Sequence, residues 1–450
     1  MKKNLNLKSF VAIFAASTLF ACTQDSIDNL SVQTEEETEA MNELPKRRTY
    51  EEALAVAQDA IGLLGENCTT RSGKPRSINT ADVQYIINTS STRSTEEPDT
   101  LMYVFNYEDN AGFAVVSANR ATEELIAVTE QGNYVAGEET GNGGFDLYME
   151  MAEEYTSIPK PPLKDSIDDG MEEFTQVRDE LESDTISYGP YLQVRWGQYW
   201  PYNLCCYTTD GEKAHTGCAA TAIAQIATYY KHPTTITINY DGNSQALSLN
   251  WDEILQHTHT NFYVPPYSMP CYLCESTENH QAIGKFVRQI GKYLSMTYGS
   301  VGAEIPSEST SIKTGTALSN LGYAYGTYQN YSRDVVENSL RQSQLVCMRG
   351  GDVTTGDGHA WVVDGFRIIT ETVTTYIKPD SQLFWEILRQ VTSSNTYFHI
   401  NWGWDGDCNG YFYTGSFDTQ RPARLDSGMS NRHDYDFERE LKIYPNIRKR

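Results

Sequence analysis

Apolar and polar positions alternate with different periods along the chain, and the changes of period mark its elements. Between Tyr50 and Leu64 apolar residues recur at helical spacing (Leu54, Ala57, Ile61, Leu64), with Thr49 in front as a cap and Gly65 behind as a stop, so the pattern predicts one amphipathic helix. Four short runs follow, Val83–Ile87, Leu101–Tyr107, Phe113–Ser117 and Leu125–Thr129, separated by Ser/Thr-rich or Gly/Asn turns. They read as strands of a small antiparallel sheet. Phe145–Tyr155 is helical in pattern again, and Pro159-Lys160-Pro161-Pro162 ends it. From Asp165 to Leu181 the chain is acidic with few apolar anchors, which predicts an exposed linker. The strongest helix is Ala219–Tyr230, rich in alanine, with Ile223, Ile226, Ala227 and Tyr230 on one face and Pro233 beyond its end. Ala360–Val363 and Phe398–Trp402 are short apolar strands that enter or leave glycine-rich turns. The sum is an α+β chain.

Composition adds a boundary and removes a class of partner. Of 450 residues, 35 are Lys or Arg and 60 are Asp or Glu, a net charge of −25 that would repel a nucleic acid. Residues 21–190 carry −24 of it, whereas 191–450 carry −4, so the chain divides near 190. Apolar residues at 39% and aromatics at 12% describe a folding chain, long enough for two or three domains. The start, with Lys2, Lys3 and Lys8 before the apolar run Phe10–Phe20, reads as a secretory signal. Leu19-Phe20-Ala21-Cys22 resembles the bacterial lipoprotein box, which implies a lipid on Cys22 and a cell-envelope location, with 22–47 as a polar tether. No later stretch approaches about 18 uninterrupted apolar residues.

Nine cysteines in an exported chain first suggest disulfides, but their spacing is irregular. Cys271-x-x-Cys274 is half of a zinc pattern without its other half, so no metal or other cofactor is expected. Cys218 is different, because it begins the Ala219–Tyr230 helix and follows a glycine. The unsatisfied amides and positive end of a helix favour a thiolate there. The other reading of this segment alone is an inert thiol on a small-residue packing face.

A reactive thiolate needs an imidazole, and His359 in Gly356-Asp357-Gly358-His359-Ala360-Trp361 sits where a strand begins, free of bulky neighbours. His215, His257 and His259 read as surface residues, while His399 alternates with Asn401 on one strand face and stays a rival. An amide such as Asn401 can accept the imidazole N–H, and the adjacent Trp402 can shield that bond.

Four ordered blocks, Trp196-Gly197-Gln198 with Pro201-Tyr202-Asn203, Gly217-Cys218-Ala219-Ala220-Thr221, Gly358-His359-Ala360-Trp361-Val362-Val363-Asp364-Gly365, and Asn401-Trp402-Gly403-Trp404 with Asn409-Gly410-Tyr411-Phe412, resemble the streptopain family of bacterial cysteine peptidases. The resemblance implies a papain-like α+β domain in which Cys218 is the nucleophile, His359 the base and acid, Gln198 an oxyanion donor, and Asn401 with Trp402 the support of the histidine. Gly112-Phe113-Ala114-Val115-Val116-Ser117 with Ile126-Ala127-Val128-Thr129 is similar to the propeptide of these enzymes. The domains that follow are a signal at 1–21, the tether at 22–47, an inhibitory helix-plus-sheet propeptide at 48–160, a cleavable linker at 161–188 and the peptidase at 189–450. The expected partners are protein substrates, the chain's own propeptide and, through Cys22, a membrane. The family often has valine where Ala219 stands, and 368–396 is an insertion with no assignment. The same Cys-His-Asn set also serves transglutaminase-like acyl transfer, and a non-catalytic surface lipoprotein is the third reading.

Overall fold

Thr49 caps the first helix as its sequence predicts: its hydroxyl accepts from the Glu52 amide at 3.3 Å and Glu52 reaches back to the Thr49 amide at 2.8 Å. Such a box is worth about 1 kcal/mol. The structure, a computed structural model, describes residues 47–69, 73–88, 99–157, 175–240, 242–258, 278–299, 303–304, 310–352, 358–379, 384–417 and 439–450. The signal, Cys22, the tether up to 46, the linker stretch 158–174 and Cys271-x-x-Cys274 lie outside the described residues. Lys46–Arg450 form one compact unit.

The acidic part contributes helix α1 (Tyr50–Ala60), strands β1 (Ile78–Ile87), β2 (Thr100–Tyr107), β3 (Phe113–Ser117) and β4 (Leu125–Thr129), helix α2 (Gly143–Ser157) and strand β5 (Thr175–Tyr188). The period-2 pattern of β3 sorts its residues cleanly. Ala114 and Val116 pack under α1 with Ala53 and Ala57, while Phe113 and Val115 join α2 through Phe145 and Tyr148 on the opposite face. The β5 strand is a difference from the sequence reading, since the acidic stretch taken as linker to 188 pairs from Thr175 onward.

Beyond it come α3 (Cys218–Tyr230), β6 (Thr235–Tyr240), β7 (Asn243–Ser248), α4 (Trp251–Thr258), α5 (Glu278–Tyr293), β8 (Thr297–Tyr298), β9 (Ala303–Glu304), α6 (Thr310–Asn320), β10 (Tyr323–Ala324), β11 (Gln329–Asn330) and α7 (Arg333–Arg341). The last part is strand-rich: β12 (Leu345–Asp352), β13 (Gly358–Pro379), β14 (Glu386–Asn401), β15 (Gly410–Tyr413) and β16 (Arg439–Lys449). One antiparallel sheet runs β1-β2-β3-β4-β15-β14-β13-β12-β16-β10, so strands from both sides of residue 190 share it. The join is β4 on β15, where Thr129 faces Gly410 and Ala127 faces Phe412.

Helix α3 buries its Ile223, Ile226 and Ala227 face against one side of β12 and β13, through Cys347, Ala360 and Val362. On the other side α2 and α7 cover Val346, Met348, Trp361 and Val363. The insertion 368–396 is a long hairpin of β13 and β14, with β5 paired along β13 from Tyr188 opposite Phe366 to Thr175 opposite Pro379. Leu181, Ile387 and Val391 stand exposed on it. Among the described residues no helix is long and apolar enough to cross a membrane.

Candidate active site

Helix α3 begins at Cys218 because Gly217, at φ 85°, turns the chain in a way a residue with a Cβ would resist. The turn is fastened from both sides. Thr221 donates its amide to Gly217 O at 3.0 Å, and the hydroxyls of Thr216 and Thr221 meet at 2.7 Å. His359 is the second residue of β13, and the next amide, Ala360 N, points at Cys218 Sγ from 3.4 Å. Burial pushes the Cys218 thiol up, but its hydrogen bond to His359, the charge of that ring and the amides of Ala360 and Ala219 outweigh burial and lower it. The Cys218 thiol therefore gives up its proton more readily than an ordinary thiol, with the imidazole of His359 as its hydrogen-bond partner.

Gln198 is buried, and its carbonyl accepts from Thr216 N at 3.1 Å, which ties the Trp196-Gly197-Gln198 segment to the turn before Cys218. A second tie was missed from sequence. Gln225, two turns along α3 from Cys218, accepts from Trp196 N at 3.2 Å while fully buried. A glutamine among the buried residues of an alanine-rich helix was the available signal. Asp405 was missed as well. Its carboxyl packs on Gly197, where an added methyl group would stand 2.4 Å away, and burial together with Asp407 pushes it up to about 7.

Asn401, expected to support the histidine, donates to Val194 O at 2.8 Å and accepts from Gly403 N at 3.1 Å, so its amide braces two loops. In the register Asn401 lies opposite Val362, three residues beyond the histidine. Trp402 packs 5.1 Å from Trp361 and donates its indole N–H to Cys408 O at 3.0 Å. His399, the rival imidazole, is buried on Asp364 at 2.6 Å and does not face Cys218.

The acidic part reaches this site with the first turn of α2. A methyl group added at Gly143 would stand 2.0 Å from His359 Nε2, and one at Gly144 would stand 2.8 Å from the Trp402 ring. Only glycine lets a backbone approach so closely. Asn142, just before, accepts from Phe145 N at 3.3 Å and holds that turn.

A cysteine at a helix start, an imidazole on the facing sheet and a second domain laid over that imidazole are the arrangement of a cysteine peptidase with a covering inhibitor. Residues 196–412 match the peptidase C10 family model and residues 42–155 match the Spi protease inhibitor model. The chain thus carries a peptidase C10, or streptopain, family domain preceded by a Spi-type propeptide domain. Streptopain of Streptococcus pyogenes is 26% identical over 366 residues, 73% of this chain and 76% of that protein. The thiol protease/hemagglutinin PrtT of Porphyromonas gingivalis is 24% identical over 358 residues, 75% of this chain. The chain spans about a third, 36%, of PrtT's length. Among solved structures, a Prevotella intermedia prointerpain A fragment is 21% identical with a TM-score of 0.46, covering 83% of this chain and all of that one.

Proposed function

We propose that the protein is an exported cysteine endopeptidase made as a zymogen. The observation that carries this is the Cys218–His359 pair at the start of α3, with the thiol lowered by its surroundings. Cys218 Sγ attacks the scissile carbonyl, and Gln198 with the Cys218 amide takes the charge that develops on its oxygen. His359 gives its proton to the leaving amine, and a water then hydrolyses the acyl-enzyme with His359 as base. With Gly143 against its ring, His359 has no room to meet a substrate, so the propeptide must leave first.

Activation then requires a cut between the two domains. A strand paired over 14 residues presents its backbone to its neighbour, so β5 resists cleavage and the cut falls before Thr175, at 158–174. The mature chain keeps β5. The lipid on Cys22 would hold the precursor at the cell envelope until that cut releases it.

The experiment is a time course of intact mass for the full chain under reducing conditions, wild type beside Cys218→Ala, with an unstructured protein substrate present. The expected result is self-cleavage within 158–174 and loss of substrate in the wild type only. A wild type that stays silent after an added protease has cut the linker would overturn the reading. Acyl chains on Cys22 are checked in the same spectra of precursor taken from cells.

A further inference from the structure

Where the propeptide joins the sheet, the chain buries a charge at the seam. Directly after β4, Glu130 donates its amide to Asn409 O at 2.7 Å, and Cys408 N donates to Gln131 O at 3.1 Å, so main-chain pairing continues past the strand. The Glu130 side chain turns inward and its carboxylate is 5% exposed. One oxygen is 2.8 Å from Arg195 Nη2 and the other 3.5 Å from His399 Nε2. The other nitrogen of His399 is 2.6 Å from Asp364 Oδ1, and Asp364 Oδ2 accepts from Leu192 N at 2.8 Å. Burial alone would discharge this imidazole, but Asp364 and Glu130 outweigh it and hold His399 raised to about 10.

The arithmetic of charge assigns a role. The half-buried Arg195 and the buried His399 imidazolium are two cations on the peptidase, Asp364 balances one of them, and the propeptide supplies the carboxylate that balances the other. Without Glu130 the cluster keeps an uncompensated positive charge, a costly state in a buried site.

We propose that Arg195 and His399 form a carboxylate-binding socket on the peptidase, at the β15 end of its sheet, whose occupant in the zymogen is Glu130 of the chain's own propeptide. It rests on the zymogen reading above. The propeptide is thereby held at two separate points, by Gly143 over His359 and by Glu130 in the socket, and the strand β4 that ends next to Glu130 adds to β15 in the manner of a docked peptide. The first contact blocks the chemistry, and the second sets how tightly the block stays on once the linker is cut.

The test uses the full chain with a specific protease site inserted after Lys160, cut, and then diluted. Cut wild type should remain a one-to-one complex on size exclusion at micromolar concentration and hydrolyse substrate slowly. Glu130→Gln, which keeps the shape and removes the charge, should weaken the complex about a hundredfold or more and release activity to match. Arg195→Met should weaken it likewise, and the double variant should lose no more than the worse single one. Thermal melts of the uncut chains show whether each variant folds, and Glu130→Asp, which keeps the charge, should recover part of the affinity if Glu130→Gln proves unstable. Complexes of Glu130→Gln and Arg195→Met that dissociate within threefold of wild type would overturn the socket. A cut wild-type complex that is fully active while still assembled would instead sink the zymogen reading and leave the socket standing.

Discussion

His359 and His399 sit on adjacent strands of one sheet and have opposite surroundings. His359 stands partly exposed at the start of β13, with Cys218 as its partner across the cleft and the backbone of Gly143 laid on its ring. His399 is buried on β14 between Asp364 and Glu130, two carboxylates that hold its proton fast. A catalytic imidazole must lose and regain a proton in every cycle, so it needs a partner that exchanges protons and little else. A structural imidazolium needs the reverse. The strand pattern around the two rings is similar, and the partner each meets separates them: the Cys218 thiol for His359, two carboxylates for His399.

The hardest way to break this comparison is to remove each histidine in turn. His359→Ala and Cys218→Ala should each lower kcat/KM of the cut enzyme by about 10⁴-fold or more, because the two act as a unit. His399→Gln should register first as a lower melting temperature. If His399→Gln abolished hydrolysis as completely as His359→Ala, the assignment of roles would be wrong. A smaller effect sharpens the same side of the contrast. Gln198→Ala should cost about 10²–10³ in kcat with little change in KM, since its amide is needed for charge that exists only in the transition state. A loss confined to KM would remove Gln198 from that role.

Sequence reading reached His359 and Cys218 because their chemistry is local: a thiol after glycine at a helix start, and a histidine where a strand leaves a glycine turn. The four propeptide strands were legible for a similar reason, since each is a short run rich in β-branched, aromatic and other apolar residues between turn residues. What stayed hidden depended on register between distant strands. Pairing puts Asn401 opposite Val362, and its amide serves Val194 and Gly403, two partners that local spacing does not announce. The acidic run after Asp165 carries no apolar period, so nothing local announces that from Thr175 it pairs with an insertion nearly two hundred residues away. Glu130 reads as an ordinary surface carboxylate until Arg195 and His399 are brought around it.

The contact of Gly143 with His359 gives an effect of intermediate size. Gly143→Ala would force a methyl group into the imidazole, and the propeptide must shift by an ångström or more to admit it. The full chain should then process itself about tenfold faster, measured as the first-order appearance of the mature mass, while the mature enzyme, which lacks residue 143, is unaltered. Slower processing, or none, would mean that the covering turn is not what restrains His359. Glu130→Gln probes the same release from the other anchor, so the two substitutions separate blocking from holding.

The smallest effect concerns the locked proton. An imidazole in an unfolded chain titrates near 6.5 or so, whereas His399 in the folded chain is raised to about 10. A group that holds its proton more tightly when folded contributes in full below the lower value, and loses that contribution as pH rises through the higher one. The uncut wild-type chain should therefore lose melting temperature between pH 7 and pH 10 more steeply than His399→Gln, by on the order of a few degrees across the window. Tyrosines and other groups that titrate in alkali are present in both proteins, so the difference between the two slopes isolates the histidine. Equal slopes would show that His399 does not carry its proton through that range, and the distinction between a histidine that exchanges a proton and one that keeps it would rest on Cys218 and His359 alone.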